Sequence, residues 1–392
     1  MSEIKAYVVG GAVRDALLGR PSDDKDWVVV GTTPQEMVAA GFIPVGRDFP
    51  VFLNPDTKEE YALARTERKT APGYHGFTFH ADPTVTLLQD LARRDLTINA
   101  MAFDEDGGIV DPHGGRRDLE LRVLRHVSPA FAEDPVRILR LARFAARFHE
   151  FTVAPETLTL ARRMVDGGEV DALVPERVWQ ELARGLMEAH PSRMLLVLRD
   201  CGALARLLPE IDRMWGAEWM RAASVLLRTL DIAAQLGCDL PQRFACLGHA
   251  DGPGLASLSE LCRRLRVPLE CRELAEVTLR EQDTVQHCEA MDAVALLGLL
   301  ERCDAPRRPR RFEAMLLACE CISKGRAAEL EEAFPQRAYL LRALRTMLQV
   351  DTAGIAAHAA VDGITGPGVG EAIREARRQA IATSLRAAKP AA

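Results

Sequence analysis

The 392-residue chain contains no run of eighteen apolar residues, so no transmembrane span is expected. Its opening residues, MSEIKAYVVGG, pass straight into a strand-like run without a signal-peptide pattern. Cysteine is missing before Cys201; the nine present lie between Cys201 and Cys321 and form no CxxC pair. Without a disulfide framework, reduced and mostly buried thiols in a cytoplasmic protein are expected. There is no internal repeat, and no excess of positive charge. A net charge of −6 argues against a general nucleic-acid coat, although a local basic stripe is still compatible with it. What remains is 48% hydrophobic and 27% charged, an ordinary globular composition long enough for two or three domains.

The stretch that carries chemistry is Gly10–Gly31, GGAVRDALLGRPSDDKDWVVVG. Ala6–Val9 reads as a buried strand, Gly10-Gly11 as a tight turn, and Ala12–Leu18 as a short helix ended by Gly19. Glycines between a strand and a helix start let backbone N–H groups approach a phosphate. Arg14, one turn into the helix, is placed to add a guanidinium to the same phosphate. Asp24 and Asp26 lie two apart and run into the apolar strand Trp27–Val30. On a strand, such residues share a face. Paired carboxylates repel unless a cation lies between them, and hard oxygen donors of this kind suit Mg²⁺. An isolated D-x-D is usually just two solvated acids; the upstream Gly-Gly and Arg14 favour a phosphate cradle joined to a metal clamp.

Further along, Glu59–Arg65 alternates like a strand, with Glu60, Ala62 and Ala64 on one face. A face with one acid and two small residues can approach a metal-bound triphosphate, so Glu60 is a candidate third carboxylate beside the alternative of a solvated strand-end acid. Thr66–Pro83, rich in Gly, Pro, His and Thr, reads as a long loop. After a helix over Thr86–Arg93, the adjacent Arg93 and Arg94 are expected to point in different directions and not to share a role. Asp111–Gly115 reads as a structural turn. Over Glu133–Arg147 a helix is expected, with Asp134 as N-cap and Pro135 at its first position. Arg137, Arg140, Arg143 and Arg147 then fall within an arc of roughly 120°. Ile138, Leu141, Ala142, Ala145 and Phe148 occupy the opposite, core-facing arc. No acid lies between positions 135 and 149 to pair these arginines, so the stripe suits phosphate or a base edge.

GGAVRD, then DKD before an apolar strand, then RRDLTINA at Arg93–Ala100, then EDPVRILRLARF at Glu133–Phe144, together resemble the class II CCA-adding tRNA nucleotidyltransferases, over about residues 1–212. The resemblance implies an α+β fold: a mixed-sheet nucleotidyltransferase head (1–128), a helical neck (129–212), a helical domain like a degenerate HD domain (213–325) and a helical tail (326–392). It implies transfer of a nucleotide from CTP or ATP to the 3′ end of tRNA with release of pyrophosphate, by a monomer or homodimer. Asp24 and Asp26 would hold Mg²⁺, with Glu60 where the family also has an acid. Gly11, Arg14, Arg94, Arg140 and Arg143 would hold the triphosphate, and Asp134 with Arg137 would pair with the edge of the incoming base. Some bacterial members carry a phosphohydrolase marked by an adjacent His-Asp. Here Ala250 follows His249, and Asp251 comes one place too late, so that activity is expected to be absent. A poly(A) polymerase and a catalytically decayed RNA-binding protein are the rival readings. The tail ATSLRAAKPAA lacks the basic extension usual in the former, and the intact motifs oppose the latter.

Overall fold

The computed structural model describes residues 4–20, 25–45, 51–69, 77–80, 82–216, 220–248 and 254–388. The chain divides into two compact units, Met1–Pro209 and Glu210–Ala392.

The first unit begins with β1 (Lys5–Val9), α1 (Gly11–Leu17), β2 (Asp26–Val30), α2 (Pro34–Ala39), β3 (Ile43–Pro44), β4 (Val51–Leu53) and β5 (Glu60–Leu63). Then come β6 (Thr66–Lys69), β7 (Phe77–His80), α3 (Leu87–Ala92), β8 (Ala102–Phe103), β9 (Ile109–Val110), α4 (Gly115–Leu121) and β10 (Val123–Leu124). Seven strands form one mixed sheet in the order β3-β4-β5-β2-β1-β8-β9. Within it β2 and β5 run parallel, and the other pairs are antiparallel. Alternation along β2 separates two cores. Val28 packs with Tyr7, Val9 and Leu91 on the α3 side, whereas Val29 packs with Met37, Phe52 and Leu63 on the α2 side. Asp26 shares the parity of Val28, so it lies on the face that α3 covers.

Local chemistry explains the short elements. Thr33 and Glu36 form a reciprocal capping box at the start of α2. Asp111 accepts hydrogen bonds from the N–H groups of Gly115 (2.7 Å) and Arg116 (2.9 Å), which anchors the first turn of α4. The Asp111–Gly115 turn is therefore structural scaffolding. The long loop expected over Thr66–Pro83 is in part an antiparallel ladder: β6 pairs with β7 from Thr66↔His80 to Lys69↔Phe77. Its glycines and prolines signal a loop, but Phe77, Thr78 and Phe79 are strand-favouring residues at one end of it.

Next in the first unit are α5 (Val136–Arg147), β11 (Thr152–Val153), α6 (Pro155–Asp166), α7 (Pro175–Leu186), α8 (Pro191–Asp200) and α9 (Ala203–Leu207). A 3-10 turn over Pro129–Glu133 precedes α5, and Asp134 is extended with φ −120°. The helix thus starts one residue later than its sequence suggests, yet the Asp134 carboxylate still accepts the Val136 N–H at 3.1 Å. The expected apolar arc of α5 is buried: Ile138, Leu141, Ala142 and Ala145 are fully enclosed. It packs on α7 and α8. Those two helices meet at Gly185, where any side chain would collide with Met194.

The second unit is helical throughout its described residues. It comprises α10 (Pro209–Asp212, spanning the boundary), α11 (Met220–Gln235), α12 (Leu240–Ala245), α13 (Gly254–Arg264), α14 (Leu269–Gln286) and α15 (Ala293–Arg302), then α16 (Pro309–Ala327), α17 (Pro335–Leu348), α18 (Thr352–Val361) and α19 (Pro367–Ala388). Its last helix, α19, packs on α15 and α17. The sheet and helices together give the α+β class expected from the sequence.

Candidate active site

A cleft of about 610 Å³ is lined, among the described residues, by the first unit. Ten arginines and four carboxylates line it, an excess of positive charge that favours an anionic ligand. The walls come from the β1–α1 turn, the start of β2, the end of α3, and α5 and α7.

At the β1–α1 turn, Gly10 has φ +74° and ψ −126°, a conformation that side-chain-bearing residues avoid. A Cβ there would also lie 2.9 Å from Nη1 of Arg94. Glycine thus lets the Arg94 guanidinium lie against the backbone next to Gly11. Arg14 is 3% exposed. It donates to both Asp15 oxygens at 2.8 Å and to Asn99 Oδ1 at 2.6 Å. Its guanidinium also lies 5.3 Å from the Phe144 ring and 5.2 Å from that of Phe148. This arginine is a fixed part of the cleft wall, braced by the rings of Phe144 in α5 and Phe148 just after it.

Arg93 and Arg94, expected to point in different directions, share an ion-pair partner. Both grip Asp90, Arg93 through Nη2 at 2.7 Å and Arg94 through Nη2 at 3.2 Å. Asp90 stands three residues before one and four before the other, the two spacings that meet on a helix. Long side chains at the end of α3 can therefore converge although their Cβ atoms diverge. Burial raises the Asp90 carboxyl pKa, but Arg94 and Arg93 together bring it below the usual carboxylate value.

The α5 arginines are paired, by acids from other elements. Arg140 Nε donates to Asp95 at 2.7 Å, Arg143 Nε to Glu181 of α7 at 2.7 Å, and Arg147 Nη2 to Asp15 at 3.0 Å. Arg137 donates to the Ala130 carbonyl at 2.7 Å. No local sequence window holds these partners. Burial pushes the Asp95 carboxyl upward; Arg140, with hydrogen bonds from Asn99 and the Leu96 N–H, outweighs it and holds the carboxyl at about 2. Asp134 is held by Arg177 of α7, which donates Nη1 to Oδ1 at 3.1 Å and Nη2 to Oδ2 at 2.7 Å. Arg177, Glu181, Asp15, Asp90 and Asp95 were not singled out from the sequence as site residues. Only Asp90 carried a readable signal, its helical spacing from Arg93 and Arg94.

Asp26 lines the cleft and stands in parallel register with Glu60. Both are exposed, and in-register neighbours on parallel strands share a face. Asp24 lies outside the described residues, as do His249, Ala250 and Asp251. Among the described residues no group of three His, Cys, Asp or Glu is gathered to hold a metal ion. Asp26 and Glu60 nonetheless supply adjacent hard oxygen donors at the edge of an arginine-rich cleft, a donor set that fits Mg²⁺ with phosphate. The cleft thus brings together Gly11, Arg14, Asp26, Arg94, Asp134, Arg137, Arg140 and Arg143; Glu60 stands beside it.

Residues 6–125 match the family model described as the poly A polymerase head domain, and residues 150–214 match the model of a probable RNA and SrmB-binding site of polymerase A. The chain is 57% identical to a multifunctional CCA protein of Leptothrix cholodnii, over 99% of this chain and 98% of that one. Among solved structures, it resembles the CCA-adding enzyme of Bacillus stearothermophilus in complex with CTP, with TM-score 0.69 and 25% identity over 97% of this chain and 89% of the other. It also resembles the Thermotoga maritima CCA-adding enzyme in complex with tRNA, with TM-score 0.64 and 21% identity over 98% and 91% of the two chains.

Proposed function

The chain belongs to the CCA-adding class II nucleotidyltransferases, the family of the multifunctional CCA proteins, and from that membership we propose how its own residues add CCA to the 3′ end of tRNA. The observation that carries the reading is the single cleft that joins an exposed carboxylate, Asp26, to an arginine lining and to the Asp134–Arg137 pair.

CTP or ATP enters the cleft with its triphosphate toward the β1–α1 turn. The backbone at Gly10-Gly11 allows close approach, and Arg14, Arg94, Arg140 and Arg143 neutralise the phosphate oxygens. These guanidiniums are already fixed by Asp15, Asp90, Asp95 and Glu181, so little ordering remains at the moment of reaction. Asp134 accepts a hydrogen bond from the exocyclic amine of cytosine or adenine, and Arg137 donates to the ring edge. Asp24 and Asp26 would hold Mg²⁺, with Glu60, in register with Asp26, as a further acid. Bound there, Mg²⁺ would lower the pKa of an attacking hydroxyl and neutralise leaving oxygens. With the triphosphate held by these arginines, the tRNA 3′-OH attacks the α-phosphorus, its proton passes to solvent, and the bond to the departing pyrophosphate breaks.

The helical unit from Glu210 onward is assigned no phosphohydrolase activity. The reading rests on Ala250 beside His249, and on His287, whose Nδ1 engages the Asp283 carbonyl of its own helix at 2.8 Å. The four regions 1–128, 129–212, 213–325 and 326–392 are assigned as catalytic head, nucleotide-selecting neck, helical body and tail.

The test is incorporation into tRNA lacking its 3′ end, with CTP, ATP and Mg²⁺, read as product length. Growth by C, C and A followed by a stop is expected, with nearly all activity lost in Asp26→Asn. A long adenosine ladder independent of CTP, or full activity in Asp26→Asn, would overturn the reading.

A further inference from the structure

We infer that Arg177 is a positioning residue for base selection, acting through Asp134. The inference rests on the reading that Asp134 contacts the incoming base.

An ionised carboxylate offers about four acceptor positions. In Asp134, Oδ1 takes the Val136 N–H at 3.1 Å and Arg177 Nη1 at 3.1 Å; Oδ2 takes Arg177 Nη2 at 2.7 Å. Those three bonds leave one position, on Oδ2. An exocyclic amine, present on cytosine and adenine, can fill it with a single N–H. Uracil and guanine offer a carbonyl at the equivalent edge, whose lone pairs would face this oxygen without a proton between them. The selectivity therefore depends on the carboxylate being held with one oxygen fully committed.

The backbone does not do this alone. Asp134 sits in an extended link between a 3-10 turn and α5, and the Val136 N–H restrains only Oδ1. The planar fork of Arg177 engages both oxygens and so fixes the plane of the carboxylate. Arg177 lies in the first turn of α7, whose N-terminal residue is Pro175. Both helices also share the Arg143–Glu181 pair at 2.7 Å, which sets their spacing on the same side. A lysine at 177 would carry the charge but could not span both oxygens.

The experiment compares the wild type, Arg177→Ala, Arg177→Lys, Asp134→Ala and the Arg177→Ala/Asp134→Ala double variant. Single-nucleotide incorporation into tRNA lacking its last three residues gives kcat and KM for CTP and for UTP; melting temperature is recorded alongside. The expected result is a loss of CTP-over-UTP preference of about tenfold or more in Arg177→Ala, with a smaller loss in Arg177→Lys. Because Arg177 acts through Asp134, the double variant should be no less selective than Asp134→Ala. Additive losses in the double variant would overturn the inference. So would an unchanged preference in Arg177→Ala and Arg177→Lys while Asp134→Ala loses it, a result that leaves the role of Asp134 standing. Unchanged preference in Asp134→Ala would instead remove the underlying reading of the base contact.

Discussion

Asp95 shows how much one side chain in this cleft depends on its neighbours. It is buried, which disfavours a charge, yet Arg140 and two further donors keep it ionised to about pH 2. A carboxyl whose folded pKa lies below its unfolded value near 3.8 contributes stability above that value, and the contribution is lost as pH falls toward 2. The depression corresponds to about 2 kcal/mol. Asp95→Asn should therefore lower stability by about 2 kcal/mol at neutral pH and flatten the acid limb between roughly pH 4 and 2, as urea melts across pH would show. The same substitution frees Arg140, so the KM for CTP should rise. At Gly10, alanine meets both an unfavourable φ of +74° and the Arg94 guanidinium 2.9 Å away. Gly10→Ala should cost about 1–3 kcal/mol and raise the KM for CTP, because the arginine must move to admit the methyl group.

Among the elements, α5 is the one on which the cleft turns. One stripe is buried against α7 and α8, and the opposite stripe presents arginines to the cleft. Its placement is set by close helix packing at Gly185, where a methyl group would force Met194 aside. Gly185→Ala should destabilise by about 1–3 kcal/mol, the usual cost of overpacking. It should also weaken CTP binding measured by calorimetry, since α7 carries Glu181 and Arg177 toward α5. Undiminished CTP affinity in a destabilised Gly185→Ala protein would show that the cleft tolerates movement of α7. By contrast α3 acts through its end: a helical turn brings Asp90 under both Arg93 and Arg94.

Across the whole molecule, chemistry and cysteine are kept apart. Among the described residues, those lining the cleft lie between Gly10 and Arg184, whereas all nine cysteines follow and are buried. Burial pushes Cys262 up to about 11 and Cys303 up to about 12, so neither is a thiolate at neutral pH. The native protein should react negligibly with a thiol reagent at pH 7.5 and titrate nine thiols in denaturant. Rapid reaction of several thiols without denaturant would contradict the burial. Since no described residue lining the cleft comes from the second unit, a fragment ending at Pro209 should keep CTP affinity within a few-fold of the full chain. A fragment that is folded by circular dichroism but fails to bind CTP would show that the second unit supports the cleft.

The primary sequence determined the class of fold and the family, and it named eight of the twenty residues that line the cleft. Those features are local: glycines at a turn, the period of α5, the spacing of two aspartates, and four motifs in order. They survive in a linear reading because backbone sterics and side-chain periodicity act over a few residues. Tertiary structure alone decided which charges meet. The arginines of α5 look unpaired in their own window, yet Asp15 of α1, Glu181 of α7 and Asp95 of the link after α3 reach them. Sequence makes Asp134 an N-cap; the fold hands its carboxylate to Arg177, forty-three positions away. An ion pair needs only that two side chains arrive within about 4 Å, and helix packing, not sequence proximity, sets that distance.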